Sequence, residues 1–186
     1  MKRTLLAAAA LALPITMSAC STAALNSSEQ AVVESNVQYS EAVQAEVKEL
    51  NELTRIYIDA VNLYQQAANT SKDLYTLKPE LVEMAQTRNN QRAMLQDRVI
   101  AMGAKPAEYG ETFGTVRRSL TSLRSVVGDK DDVAIQEVLR GERYILQEIN
   151  RAMDTAVTPE SRTLLGQLRT DTDAQIARLL EIEKTV

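Results

Sequence analysis

The chain has 186 residues, 45% of them hydrophobic and 25% charged, with a formal net charge of −4 and neither histidine nor tryptophan. That length suits one domain and is enough to bury a core. Without imidazole, Ser–His–Asp and Cys–His catalysis, the common zinc sites and Glu-x-x-His ligand pairs are excluded. The acidic balance and the lack of a Lys/Arg cluster disfavour a nucleic-acid partner.

Lys2 and Arg3 precede an apolar run over residues 5–13, and small residues then lead to Cys20. This is the layout of a secretory signal peptide, expected over 1–19. The run is shorter than the roughly 20 residues a membrane-spanning helix needs. Met17-Ser18-Ala19-Cys20 resembles the bacterial lipobox, with Met17 in place of the usual Leu. Cys20 is the chain's single cysteine, so lipid acylation gives an otherwise lone thiol a use. The alternative is an ordinary signal peptide with an incidental cysteine. Several acyl chains on one cysteine anchor a protein stably where a single chain does not. In lipoproteins of two-membrane bacteria, Asp after the cysteine retains the protein at the inner membrane. Ser21 stands here, so the resemblance implies the outer membrane, periplasmic face.

Residues 20–40 are rich in Ser, Ala, Asn and Gln and read as a tether, with a helix start near Ser28. The bundle is expected over 41–186. Val43, Val47, Leu50, Tyr57, Val61 and Tyr64 recur at three-four spacing and predict a helix from about Glu41 to Asn69. Pro79 opens the next helix, which runs to about Met102 before Gly103 and Pro106. Gly103, Pro106, Gly110 and Gly114 mark an irregular connection, followed by a short amphipathic helix over 115–127. A third long helix runs from Asp129 to about Ala156. Thr158 is expected to cap the last one, with Pro159 at its first position. The expected fold is all-α: four long helices, with a short crossover helix between the second and third. A long second crossover is the wiring of ferritin-like bundles.

The chain resembles a bacterial ferritin-like four-helix-bundle family of unknown function. The resemblance rests on Leu50-Asn51-Glu52-Leu53, Tyr64-x-x-Ala67-Ala68, Gln91-Arg92, Gly103 with Pro106, Gly128 to Asp132, Arg140-Gly141-Glu142 and Pro159, over residues 46–184. The order and spacing of these short motifs carry it, and the chain departs at a Trp-like position of the crossover helix. The family implies a ferritin-like fold and no established activity, substrate or cofactor.

Polar residues interrupt the apolar stripes at similar heights. Arg88 and Arg92 fall between Leu81 and Met102, Glu142 falls among Val138, Ile145 and Ile149, and Asp59 and Asp171 lie mid-helix. Bundle proteins place metal ligands at such a level. Two arginines there oppose a divalent ion and favour an Arg–carboxylate network, which keeps buried charges paired. The other reading is that these side chains are solvated. Asp129, Asp131 and Asp132 do not make a calcium loop, because Ala134 and Arg140 stand where Gly and Glu are required; the run reads as a helix start. Gly141 and Gly166, both inside helices, point to close helix approach or to a docking gap. Tyr39, Tyr57, Tyr64 and Tyr75 read as core and rim packing. The expectation is a non-enzymatic, lipid-anchored periplasmic bundle used for binding, assembly or stress-related support, with no cofactor and no metal. Its partners are the membrane through Cys20 and a second copy or an envelope protein. The alternative is a carboxylate-only metal protein using Asp59, Glu142 and Asp171.

Overall fold

The computed structural model describes residues 27–110 and 130–185. The signal peptide, Cys20 and the crossover helix over 115–127 lie outside them. The chain divides into two compact units, residues 1–36 and 37–186. Of the first, only the start of a helix is described.

Among the described residues four helices follow one another: α1 (Ser27–Thr70), α2 (Leu77–Ala101), α3 (Lys130–Thr155) and α4 (Pro159–Glu183). No strand occurs among the described residues, and none of their helices is long and apolar enough to cross a membrane. The expected tether over 20–40 is thus helical from Ser27 onward. Along α1, Leu50, Leu53, Tyr57, Ala60, Leu63, Tyr64 and Ala67 are fully or almost fully buried. This three-four spacing turns one stripe inward, against Leu77, Leu81, Leu95 and Val99 of α2, Ile135, Val138, Ile145 and Ile149 of α3, and Leu165, Leu168 and Leu179 of α4. Each such Leu or Ile stabilises the bundle by about 1.5–3 kcal/mol relative to exposure.

Local chemistry sets the helix ends. Asp73 starts α2: its carboxylate accepts from the backbone N–H of Tyr75 and Thr76, both at 2.9 Å, and of Leu77 at 3.2 Å. Those hydrogen bonds hold its carboxyl below the ordinary aspartate value. Thr76, at the formal cap position, makes no side-chain cap bond. Gly103 ends α2 with φ of 77°, a left-handed conformation that lets Ala104 N–H reach Val99 O at 3.1 Å.

Asp131, in the first turn of α3, is mostly buried and accepts from the backbone N–H of Lys72 at 2.8 Å and of Asp73 at 3.2 Å. The acidic run is a helix start, and it also pins the α1–α2 connection. The contact places the start of α3 beside the start of α2. Further along, Arg88 of α2 meets Glu142 of α3 at a similar advance from each start, so the two helices run parallel, and a long crossover must join them, as in ferritin-like wiring. α3 and α4, joined by three residues, run antiparallel, with Gln136 bonded to Glu183. Gly141 provides the expected close approach: a Cβ there would lie 3.1 Å from Leu63 Cδ2. Gly166 does not, since nothing lies within 4 Å of such an atom.

Candidate functional site

Arg88 sits one heptad after Leu81 and one before Leu95, so the stripe that buries those leucines carries it into the core. It is fully buried, as is Glu142 on α3. The guanidinium meets the carboxylate as a fork: Nε donates to Oε1 at 3.1 Å and Nη2 donates to Oε2. Nη1 donates to Gln91 Oε1 at 2.6 Å and lies 3.5 Å from the Tyr57 hydroxyl. The Tyr57 ring supports the guanidinium face, with its centroid 5.2 Å from Cζ. Glu142 Oε1 also accepts from the Tyr64 hydroxyl. Gln91 Nε2 donates to Asp171 Oδ2 at 2.9 Å. A single polar chain, Asp171–Gln91–Arg88–Glu142–Tyr64, therefore visits all four helices.

The charges are fixed by their surroundings. Burial pulls the Arg88 pKa down, but Glu142 and the two neighbouring tyrosines together outweigh it and raise the value, so the guanidinium keeps its proton. Burial pushes Tyr57 up to about 12, helped by Glu142 and opposed by Arg88. Burial and then Glu142 push Tyr64 well above the phenol's usual value. Both phenols remain neutral donors at physiological pH. One cation faces one anion inside a shell of satisfied dipoles, which is what a buried charge pair requires.

The structure assembles three of the five expected polar-layer residues: Arg88 and Glu142 in direct contact and Asp171 through Gln91. Arg92 does not join them. It is only half-buried, and its Nε is enclosed without a hydrogen-bond partner. Heptad register does not separate the two, since Arg92 stands seven residues from buried Ala85 and Val99 just as Arg88 does from Leu81 and Leu95; what differs is the neighbouring side chains, Glu142 and Gln91 engaging Arg88. Asp59 also faces elsewhere; its carboxylate packs on Gly110, where a Cβ would lie 1.9 Å from Oδ1. Among the tyrosines, Tyr57 and Tyr64 are core and Tyr75 is 93% exposed. Their participation in the polar layer was readable from position: Tyr57 and Tyr64 are seven apart on the α1 stripe, at the level of Glu142.

A second buried cluster escaped the sequence reading. Glu46 lies four residues before Leu50 on the inward stripe of α1 and is 1% exposed. Its Oε2 accepts from the backbone N–H of Val157 at 2.6 Å and Thr158 at 2.9 Å, and its Oε1 from the Thr158 hydroxyl. Arg98 on α2 donates to Ser161 Oγ and Thr158 Oγ1, each at 2.8 Å, and its guanidinium stands 3.9 Å from Glu46 and 3.5 Å from Glu160. Thr158 does hold the N-cap position before Pro159, but it makes no side-chain cap bond. Its hydroxyl is taken by Glu46 and Arg98, and Glu46 completes the α3–α4 turn from another helix.

Burial alone would raise the Glu46 pKa, but the hydrogen bonds from Ser161, Thr158 and the two backbone N–H groups outweigh it and hold the value below 4.5. A carboxyl depressed by folding contributes stability that is complete above its unfolded pKa and is lost as pH falls through the folded one. Denaturant melts at stepped pH should therefore show wild type losing stability below about pH 4.5, with a smaller loss in Glu46→Gln. Parallel acid limbs would contradict this assignment.

Four helices, wired with two parallel neighbours and closed over a polar centre, define a ferritin-like bundle. The fold is similar to a solved structure described as ferritin like, diiron-carboxylate proteins from Bacillus anthracis str. Ames, with a TM-score of 0.61 at 15% identity, covering 76% of this chain and 97% of that one. The chain belongs to the DUF2383 family, a domain of unknown function, whose model matches residues 45–155. No curated protein matches it.

Proposed function

We propose that the protein is a non-enzymatic lipoprotein, held on the periplasmic face of the outer membrane by acylated Cys20, which presents its helical bundle for binding, assembly or stress-related support of the envelope. The observation that carries this reading is Met17-Ser18-Ala19-Cys20 behind a basic and then apolar leader, with no second cysteine in the chain. The polar centre supports the non-enzymatic half. A dinuclear iron centre in such a bundle is held by facing carboxylates and Glu-x-x-His pairs. This chain has no histidine, and both Glu142 oxygens are engaged by Arg88 and Tyr64. Among the described residues no group of three or more His, Cys, Asp or Glu converges on a point. The residues present do not fit such a centre.

Cys20→Ser is expected to abolish incorporation of labelled palmitate and to release the protein from the membrane fraction. Equal labelling of variant and wild type would sink the anchor. Anaerobic titration of the full chain with ferrous iron, then exposure to oxygen, should give no saturable binding and no oxo-bridged absorption band. Stoichiometric binding with that band would promote the metalloprotein reading instead.

A further inference from the structure

The acceptors around Arg88 are arranged for a flat cation. One guanidinium edge meets both oxygens of a single carboxylate. The remaining nitrogen meets the Gln91 carbonyl, and the face meets the Tyr57 ring. We propose that Tyr57, Tyr64, Gln91 and Glu142 form a cradle specific for one guanidinium, which Arg88 fills from within the chain; emptied of that side chain, the bundle centre takes a small guanidinium cation from solution and refuses a divalent metal. The inference rests on the reading of the bundle as a metal-free structural core.

Three features support it. The cradle stands on three helices, so deleting the Arg88 side chain leaves its other members in place: Tyr57 and Tyr64 on α1, Gln91 on α2 and Glu142 on α3. The two principal acceptors, Glu142 and Gln91, are also oriented by something other than Arg88. Tyr64 donates to Glu142, and Gln91 gives its amide N–H to Asp171, which turns its carbonyl toward the guanidinium. Finally, the charge and ligand geometry suit a monocation. The cradle holds one carboxylate, one amide carbonyl and two phenols that stay neutral, so a divalent ion would leave a buried net charge. An ammonium ion carries the right charge but cannot match a carboxylate edge and an aromatic face together, as planar guanidinium does.

The test uses the full chain with Arg88→Ala, refolded alone and with millimolar methylguanidinium, methylammonium or manganese(II). Thermal midpoint is read together with near-ultraviolet circular dichroism, which reports tyrosine packing in a protein without tryptophan. The variant alone should lose midpoint and tyrosine signal. Methylguanidinium should restore most of both saturably, and the other two cations should restore neither. Absence of recovery with methylguanidinium, or equal recovery with methylammonium or manganese, overturns the proposal. Adding Glu142→Gln to Arg88→Ala should remove the response, and a response that survives also overturns it. Should Arg88→Ala not fold, Arg88→Lys decides: a midpoint below wild type supports the cradle, and one equal to wild type refutes it. Ferrous iron binding by wild type would instead defeat the metal-free reading, a result these variants do not mimic.

Discussion

Glu142→Ala is expected to destabilise the bundle by about 3–5 kcal/mol, or about 6–20 °C of thermal midpoint for a chain of this size. The cost has three sources. Arg88 keeps its charge, because a guanidinium does not neutralise by losing a proton, and it is left buried with no counter-ion. Tyr64 loses its acceptor, and a buried hydroxyl without a partner costs about 1–3 kcal/mol. The lost side-chain atoms leave a cavity beside Gly141, where α1 and α3 already approach closely enough for a Cβ to sit 3.1 Å from Leu63. Glu142→Gln should cost less. It fills the same volume and keeps a carbonyl for Tyr64 or Arg88 Nε, although its amide group then opposes a guanidinium donor. Equal, small midpoint shifts for the two variants would mean that the pair is not held as described.

The pair is better understood as a register device than as a source of net stability. Buried ion pairs roughly break even against apolar residues of the same volume, because desolvation offsets attraction. What the polar chain adds is mutual constraint. It links α4 to α2, α2 to α3 and α3 to α1 through side chains whose partners are each fixed elsewhere. Sliding any helix by one turn would strand a buried donor or acceptor, whereas leucines tolerate a slip into the next hole.

Heptad spacing made Arg88 and Glu142 legible, since a charged residue in register with buried leucines must enter the core. The same reasoning misplaced Arg92, which is four residues from Arg88 and only half-buried; adjacent ridges of one helix look alike until their neighbour is known. Asp59 was misplaced for a related reason, because its surroundings include Gly110, more than fifty residues away in sequence. Gly141 and Gly166 both lie inside helices, and what separates them is what stands opposite, which local sequence does not give. Proline and glycine marked where the helices stop. They did not reveal that Asp73 rather than Thr76 starts α2, or that the start of α4 is completed from α1. Local rules assign a cap to the nearest polar residue, and here the donors are served across the fold.

That long-range cap is the basis of the second large effect. Glu46→Ala is expected to cost about 2–4 kcal/mol, from the loss of charge-assisted hydrogen bonds and of the helix-start acceptor together. Glu46 is almost wholly buried and serves three donors at the α3–α4 turn: the N–H of Val157, and the N–H and hydroxyl of Thr158. Alanine strands the two N–H groups and leaves Arg98 with Glu160, a mostly exposed partner, as its remaining carboxylate. The damage should be local before it is global, because the turn is fixed from outside its own helices. Hydrogen exchange should accelerate first at Val157, Thr158 and the opening turn of α4, while amides around Ile145 and Leu63 keep their protection. Glu46→Gln should fall between alanine and wild type, since its carbonyl still reaches the backbone donors. Unchanged protection at Val157 and Thr158 in Glu46→Ala would show that the turn holds itself, and that Glu46 only fills space beneath it.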